Sequence, residues 1–73
     1  MKIIVTHHAK NRMTMRGISL EEVRHVIENY ERKEYTDFGR INIYGKIGRK
    51  KIRVTYKEES GLIIIITIVK ITN

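Results

Sequence analysis

The sequence has 73 residues, no cysteine or proline, and 15 Lys or Arg against 8 Asp or Glu, which gives a net charge of +7. A chain of this length forms one domain with a thin core, since it buries only about 60% of its unfolded surface. The lack of cysteine excludes a disulfide framework and a thiolate zinc site, and the lack of a signal sequence in the first residues predicts a cytoplasmic protein.

Residues 2–6 are predicted to form a short strand, and a first helix is expected over residues 7–16. Thr6 is placed to cap this helix, because its hydroxyl can accept a hydrogen bond from an early backbone amide. Gly17 is expected to end the helix. Three residues spaced four apart share one ridge of it, at the boundary between core and water: His8, Arg12 and Arg16.

A second helix is predicted to begin at Ser19, because Ser19 and Glu22 form the capping-box pattern. The apolar residues of this helix fall on one arc: Leu20, Val23, Val26, Ile27 and Tyr30. Acidic residues take the opposite side, so the helix is amphipathic. An apolar stripe at this spacing is typical of core packing, and a surface for a partner is the alternative.

Further along the chain the apolar pattern changes to a period of two, which predicts strands over residues 40–47 and 51–57 with a turn at 48–49. Residues 32–36 match the pattern less well and are a further strand candidate, which the predicted order below does not count. Residues of one parity should meet the helices: Ile41, Ile43, Ile47, Ile52, Val54 and Tyr56. Residues of the other parity should form the opposite face: Arg40, Asn42, Tyr44, Lys46, Lys51, Arg53 and Lys57. One face of the predicted sheet is therefore strongly basic.

The run from Leu62 to Ile71, LIIIITIVKI, is nearly all apolar and is too short to cross a bilayer, so we predict no membrane association. We expect a strand in the middle of the sheet, buried on both faces and paired with the first strand. Together the elements predict one α+β domain over residues 1–73, with two N-terminal helices packed on an antiparallel sheet in the order β-α-α-β-β-β.

Positive charge is concentrated in the C-terminal half. Residues 1–37 hold seven Lys or Arg against six Asp or Glu, and residues 38–73 hold eight against two. This asymmetry favours an anionic partner for the sheet, either a phosphate backbone or an acidic protein. A solvated surface without a partner is one alternative. A homodimer is another, because apolar residues of the last strand would also reach the second face of the sheet.

The sequence has no nucleotide-loop, hydrolase or zinc-protease motif, and we predict no metal and no cofactor. RNA cleavage through its own 2′-hydroxyl needs only a base, an acid and cations around the phosphate. His8 is suited to proton transfer near neutral pH, and Arg12 and Arg16 are suited to holding a phosphate. On the basic face, Tyr44 could stack on a base or donate a proton.

Each of these residues also has an ordinary structural interpretation. His8 can be hydrogen-bonded to the backbone at the start of the helix, and Tyr44 can pack against a neighbouring strand. Arg12 and Arg16 can pair with nearby glutamates or with the carbonyls at the helix C-terminus. The sequence alone leaves both interpretations open.

A resemblance to a known family begins in the first helix, at these positions: His8, Ala9, Arg12, Met13, Arg16, Gly17, Ile18 and Ser19. Further matching positions are Glu22, Val23, Val26, Ile27, Gly39, Arg40, Tyr44 and the strand IRVTY. They resemble the signature of a family of small uncharacterised prokaryotic proteins. That family is related to BrnT-type toxins and, more distantly, to RelE-like ribonucleases.

The resemblance implies a RelE-like fold and a toxin-like endoribonuclease of a type II toxin-antitoxin module, which meets RNA on the ribosome or an acidic antitoxin. It carries over His8, Arg12 and Arg16 as members of the motif. Our hypothesis assigns His8 as the proton-transfer residue and Arg12 and Arg16 as phosphate contacts. Strand parity alone adds Arg53 to the phosphate contacts. Parity also suggests the residues that bind substrate: Tyr44, Lys46, Lys51 and Arg40. A non-catalytic module of the same fold, binding RNA or an acidic partner, is the alternative.

Overall fold

The computed structural model describes residues 2–72, and side chains are described for residues 2–71. In chain order the elements are β1 (Lys2–Val5), α1 (His7–Arg16), α2 (Leu20–Glu28), β2 (Arg32–Tyr35), a short 3-10 turn (Asp37–Gly39), β3 (Ile41–Ile47), β4 (Lys50–Glu59) and β5 (Leu62–Thr72). The α+β class and the two N-terminal helices are confirmed. The predicted element order was one strand short, because the weakly patterned segment β2 also joins the sheet.

The five strands form one mixed sheet in the order β1-β5-β4-β3-β2. The last four strands pair antiparallel, but β1 runs parallel to β5. The prediction of a purely antiparallel sheet was therefore wrong at β1. Two parallel strands need a long connection in the chain. Here every helix and strand from α1 to β4 belongs to the connection between β1 and β5. Apolar alternation specifies which face of a strand is buried, but it does not specify strand direction.

The first helix begins and ends as predicted. The Thr6 hydroxyl accepts a hydrogen bond from the Ala9 amide at 3.2 Å and donates one to the Ile66 carbonyl at 3.3 Å. It therefore caps α1 and also ties the start of the helix to β5. Gly17 follows the helix with a φ of 65°, the left-handed conformation that glycine adopts most easily. These contacts fix where α1 starts and how it lies beside the sheet.

The second helix also begins as predicted, with reciprocal hydrogen bonds between Ser19 and Glu22. Its buried residues are Val23, Val26 and Ile27. Leu20 and Tyr30, which we placed on the same arc, are 41% and 44% exposed. Leu20 lies at the first position of the helix, and Tyr30 lies beyond its last residue, so neither reaches the core. In residues 2–72, neither helix has the length and apolar character needed to cross a membrane.

The core lies between the helices and one face of the sheet. The residues predicted for this face are buried, except for half-buried Ile47: Ile41, Ile43, Ile52, Val54 and Tyr56. The last strand is interior, with β1 on one side and β4 on the other, as predicted. It is not buried on both faces, however, since Ile63 and Ile65 are buried while Ile64 is only half-buried. We call the sheet face opposite the helices the open face.

Candidate functional site

Four predicted site residues lie on the open face, as strand parity indicates. Tyr44 of β3 is directly opposite Arg53 of β4, and Lys46 is opposite Lys51. Directly opposed residues of antiparallel strands present their side chains on the same face. The pair of opposed lysines is unfavourable by itself, because like charges across a strand pair repel. An anion bound at this position would relieve that repulsion.

His8 reaches the sheet from α1. Its Nε2 atom lies 3.2 Å from the Thr67 hydroxyl oxygen of β5. Thr67 is in turn opposite Thr55 of β4, two residues from Arg53. His8 is exposed, so its imidazole is accessible to a ligand at the margin of the sheet. This hydrogen-bond partner of His8 is a side chain, whereas the structural interpretation of His8 predicted a backbone partner.

Arg16 lies at the other end of α1, where its carbonyl accepts a hydrogen bond from Lys50 Nζ at 3.4 Å. Lys50 begins β4, so the helix runs along the sheet margin from Thr67 toward the β3–β4 turn. Arg12 lies between His8 and Arg16 on the same ridge, one helical turn from each. The structure therefore brings the three motif residues to one margin of the sheet.

Two arginines of the site have an unsatisfied donor. The Nε atoms of Arg16 and Arg53 are buried and have no hydrogen-bond partner among the described residues. Within residues 2–71, none of the ion pairs involves Arg12, Arg16 or Arg53. In that range, Arg12 and Arg16 therefore do not pair with glutamate, which was one of their expected structural roles. A buried donor without an acceptor costs free energy. Because both Nε atoms are buried, a phosphate would have to bind the other nitrogens of these guanidiniums.

Arg40 does not join the other predicted residues. It lies between the 3-10 turn and β3, is exposed, and its carbonyl accepts hydrogen bonds from the amide and hydroxyl of Thr36 at 2.9 and 3.0 Å. Arg40 and Lys46 are six positions apart in the chain, a distance of roughly 20 Å along an extended strand. Arg40 is therefore at the far end of the open face from the lysine pair.

Sequence reasoning missed a row of polar contacts across the open face. The Thr55 hydroxyl donates to Asn42 Oδ1 at 2.6 Å, and Asn42 Nδ2 donates to Glu34 Oε1 at 3.2 Å. Tyr44 donates to the same Glu34 oxygen at 2.6 Å. Glu34 belongs to β2 and is opposite Asn42. The period-two pattern of β2 indicates a strand, but it does not indicate which residues of β3 lie opposite each residue of β2.

These contacts change the acid-base character of the row. Hydrogen bonds from Tyr44 and Asn42 lower the pKa of Glu34 below its ordinary value of 4.5. The hydrogen bond to Glu34, with a smaller contribution from burial, raises the pKa of Tyr44 above its ordinary value of 10.0. The Tyr44 hydroxyl is thus already engaged as a donor and is a weaker acid than usual, which leaves its ring as the part available to a ligand.

Arg32 of β2 stacks on that ring, with its guanidinium carbon 4.0 Å from the ring centroid. It also lies 3.5 Å from Glu34, and Lys46 lies 3.7 Å from Glu31, both as exposed ion pairs. Exposed pairs of this kind are weak and exchange readily with other ligands. The open face therefore combines available cations with an aromatic ring.

The fold and the site define a small α+β domain with a cationic sheet face that neither helix covers. A family model matches residues 5–70, and the chain belongs to that family, which is described as "Domain of unknown function (DUF4258)". No curated protein and no solved structure matches the chain. The matched range contains both helices and all the predicted site residues, so the family assignment applies to the whole site.

Proposed function

We propose that the protein is a toxin-like endoribonuclease of a type II toxin-antitoxin module, which has a RelE-like fold and cleaves RNA on its open face without a metal ion. The strongest support is that Arg53 lies opposite Tyr44 on the open face, while the exposed imidazole of His8 contacts Thr67 at the margin of the same sheet. Guanidiniums that have no carboxylate partner within residues 2–71, together with an exposed imidazole, are suitable groups for binding a phosphodiester.

In the proposed reaction, the 2′-hydroxyl oxygen of one nucleotide attacks the adjacent phosphorus and the 5′-oxygen of the next nucleotide leaves. The products are a 2′,3′-cyclic phosphate and a 5′-hydroxyl, so one proton leaves the 2′-hydroxyl and one reaches the 5′-oxygen. His8 transfers one of these two protons, and water transfers the other. Arg12, Arg16 and Arg53 stabilise the charge that develops on the phosphate oxygens. Thr67 orients the ring by its contact with Nε2, so Nδ1 faces away from that contact.

The remaining predicted residues bind the strand on either side of the reacting phosphate. Lys46 and Lys51 contact one neighbouring phosphate, where their mutual repulsion is relieved. Arg40 contacts a more distant nucleotide because of its position at the other end of β3. The ring of Tyr44 supplies a surface for a base.

A non-catalytic module that binds RNA or an acidic protein is the second candidate, and one observation favours it. Cleavage requires both a base and an acid, yet His8 is the one histidine that the described structure brings to this site. Glu34 is a weak base because its pKa is lowered, and Tyr44 is a weak acid because its pKa is raised. An acidic antitoxin would bind the same cations and exclude RNA from them.

The test is cleavage of labelled single-stranded RNA in the presence of a chelator. We expect His8→Ala to reduce cleavage by about 100-fold or more, the usual contribution of a proton-transfer residue. Arg53→Gln should reduce it as well. His25→Ala and Arg24→Gln are the matched controls, because both residues lie on α2, across the sheet from the open face. Cleavage by His8→Ala at the wild-type rate would contradict the assignment of His8.

Binding of the same RNA separates the two candidates. If wild-type protein binds the RNA but leaves it intact at every pH tested, the non-catalytic module is correct. An acidic partner protein should then compete with the RNA for the open face. If wild-type protein neither binds nor cleaves RNA, the ribonuclease and the RNA-binding module are both wrong, and only a module that binds an acidic protein remains.

A further inference from the structure

The open face contains a depression of about 350 Å³ between the edge strand β2 and the end of β5. Its floor is backbone, formed at Gly45 and Ile52. The Ile52 side chain is fully buried in the core, and a Cβ added at Gly45 would point into Val26 on the helix side. Gly45 has no side chain and that of Ile52 points into the core, so neither residue fills the depression from below.

The walls of the depression combine flat, apolar and charged groups. On one side are the Tyr44 ring and the Arg32 guanidinium that stacks on it. On the other side is Ile71, which is 46% exposed. Ile71 has no partner in β4, because the pairing skips from Ile52–Lys70 to Lys51–Thr72. Such a bulge redirects side chains and is common beside binding sites.

We infer that this depression is a subsite for one nucleobase, and that it prefers a base with an exocyclic amino group. An apolar wall opposite an aromatic and guanidinium stack suits a flat, uncharged ring. Glu31 lines the same depression and supplies a carboxylate acceptor for an amino group. Lys51, also in the lining, supplies a cation for the attached phosphate. The inference rests on the proposed RNA-binding function and adds a base preference to it.

Size and charge support a single nucleotide. Small-molecule sites begin at about 300 Å³, so the depression holds one nucleotide unit and not several. Glu31 is not consumed by its ion pair with Lys46, since that contact is 3.7 Å long and about half-exposed on both sides. Adenine, cytosine and guanine carry an exocyclic amino group, whereas uracil has none. Cytidine and uridine monophosphates therefore form a matched pair that differs at the position that Glu31 would read.

The experiment is a titration of isotope-labelled protein with cytidine monophosphate, uridine monophosphate and inorganic phosphate, followed by NMR. We expect the signals of Tyr44, Ile71 and Lys51 to shift with cytidine monophosphate at concentrations where inorganic phosphate leaves Tyr44 and Ile71 unchanged. Ile71→Ala should weaken the binding of cytidine monophosphate by about tenfold, because it removes most of an apolar side chain from contact with the base. Ile4→Ala is the matched control, because Ile4 is 40% exposed but does not line the depression.

Several results would overturn the inference. One is that cytidine monophosphate shifts the same signals as inorganic phosphate and no others. Another is that Ile71→Ala binds it as tightly as wild type, and a third is equal affinity for the cytidine and uridine nucleotides. Glu31→Gln should bring those two affinities closer together, and an undiminished preference in that variant would remove Glu31 from the site.

Binding of a short single-stranded oligonucleotide of cytidines distinguishes RNA from a free nucleotide as the ligand. Tighter binding than for the mononucleotide identifies RNA as the ligand, whereas equal binding identifies a free nucleotide. Failure of the ribonuclease proposal would leave RNA uncut while the base preference persists. Failure of the base subsite would instead leave RNA bound or cleaved, with no effect of Ile71→Ala.

Discussion

The Tyr44 hydroxyl donates a 2.6 Å hydrogen bond to Glu34 Oε1, and this contact links the middle of the open face to the edge strand β2. It places the Glu34 carboxylate among the cations of the open face. It also holds the Tyr44 ring in position beneath the Arg32 guanidinium. The contact thus prepares a flat surface on the open face while removing the hydroxyl from acid chemistry.

Acidification should test the contact through Glu34. Its pKa is lowered in the folded protein, so the stability that it contributes is present above about its ordinary value of 4.5 and is lost as the pH falls through the lower folded value. We expect Glu34→Gln to lose this part of the acid dependence. Urea unfolding at neutral pH and at several values below 4.5 measures it. An unchanged acid dependence in Glu34→Gln, relative to the exposed-site control Glu28→Gln, would contradict the prediction.

The same contact predicts a change at alkaline pH. The pKa of Tyr44 is raised, so the stability due to its protonated form persists below its ordinary value of 10.0 and is lost as the pH rises through the folded value. Removing the carboxylate should bring the pKa back toward 10.0. NMR titration of the Tyr44 ring in wild type and Glu34→Gln follows this directly. A Tyr44 pKa that is the same in both proteins would show that the hydrogen bond does not control it.

Local signals in the sequence were sufficient to predict the helices and the parity of β3 and β4. Thr6, Gly17 and the Ser19–Glu22 pair act within one or two turns of chain, so their effects can be predicted without knowing the fold. Parity placed Tyr44 and Arg53 on one face, because a short turn keeps the two strands of the hairpin in register. The structure adds that the two residues are directly opposite each other.

Features that depend on distant pairing were not predictable in the same way. The register of β2 on β3 places Glu34 beside Asn42, and no short turn motif indicates it. The parallel pairing of β1 depends on where two whole helices pack. The contact of His8 with Thr67 joins residues 59 positions apart, and helical periodicity could indicate only the ridge that carries His8.

Thr6 should contribute to stability through both of its hydrogen bonds. Thr6→Ala removes the cap of α1 and the tie to the Ile66 carbonyl, and we expect it to cost about 1 to 2 kcal/mol. Thr14→Ala is the matched control, because the Thr14 hydroxyl only bonds back to Lys10 within the helix. Urea unfolding of both variants measures the difference. Equal effects of the two substitutions would show that the Thr6 contacts are energetically unimportant.

The close approach of α2 to β3 at Gly45 gives a packing prediction. A Cβ at this position would lie 2.8 Å from Cγ1 of Val26, which is buried and cannot easily move. We expect Gly45→Ala to destabilise the protein by about 1 to 3 kcal/mol. Val26→Ala should cost about 2 kcal/mol through the cavity it leaves. The double variant should lose less than the sum, because the smaller side chain makes room; simple additivity in the cycle would refute the steric explanation.

Salt dependence gives a test of how RNA is held that does not require cleavage. Each phosphate neutralised by the protein releases counterions from the single strand, so the logarithm of the binding constant falls linearly with the logarithm of salt concentration. Arg53→Gln should make this slope shallower by about 0.7, the value of one phosphate contact on a single strand. Arg24→Gln removes the same charge from α2 and should leave the slope almost unchanged. If the two variants alter the slope equally, the protein attracts RNA through its net charge alone, and Arg53 is not a phosphate site.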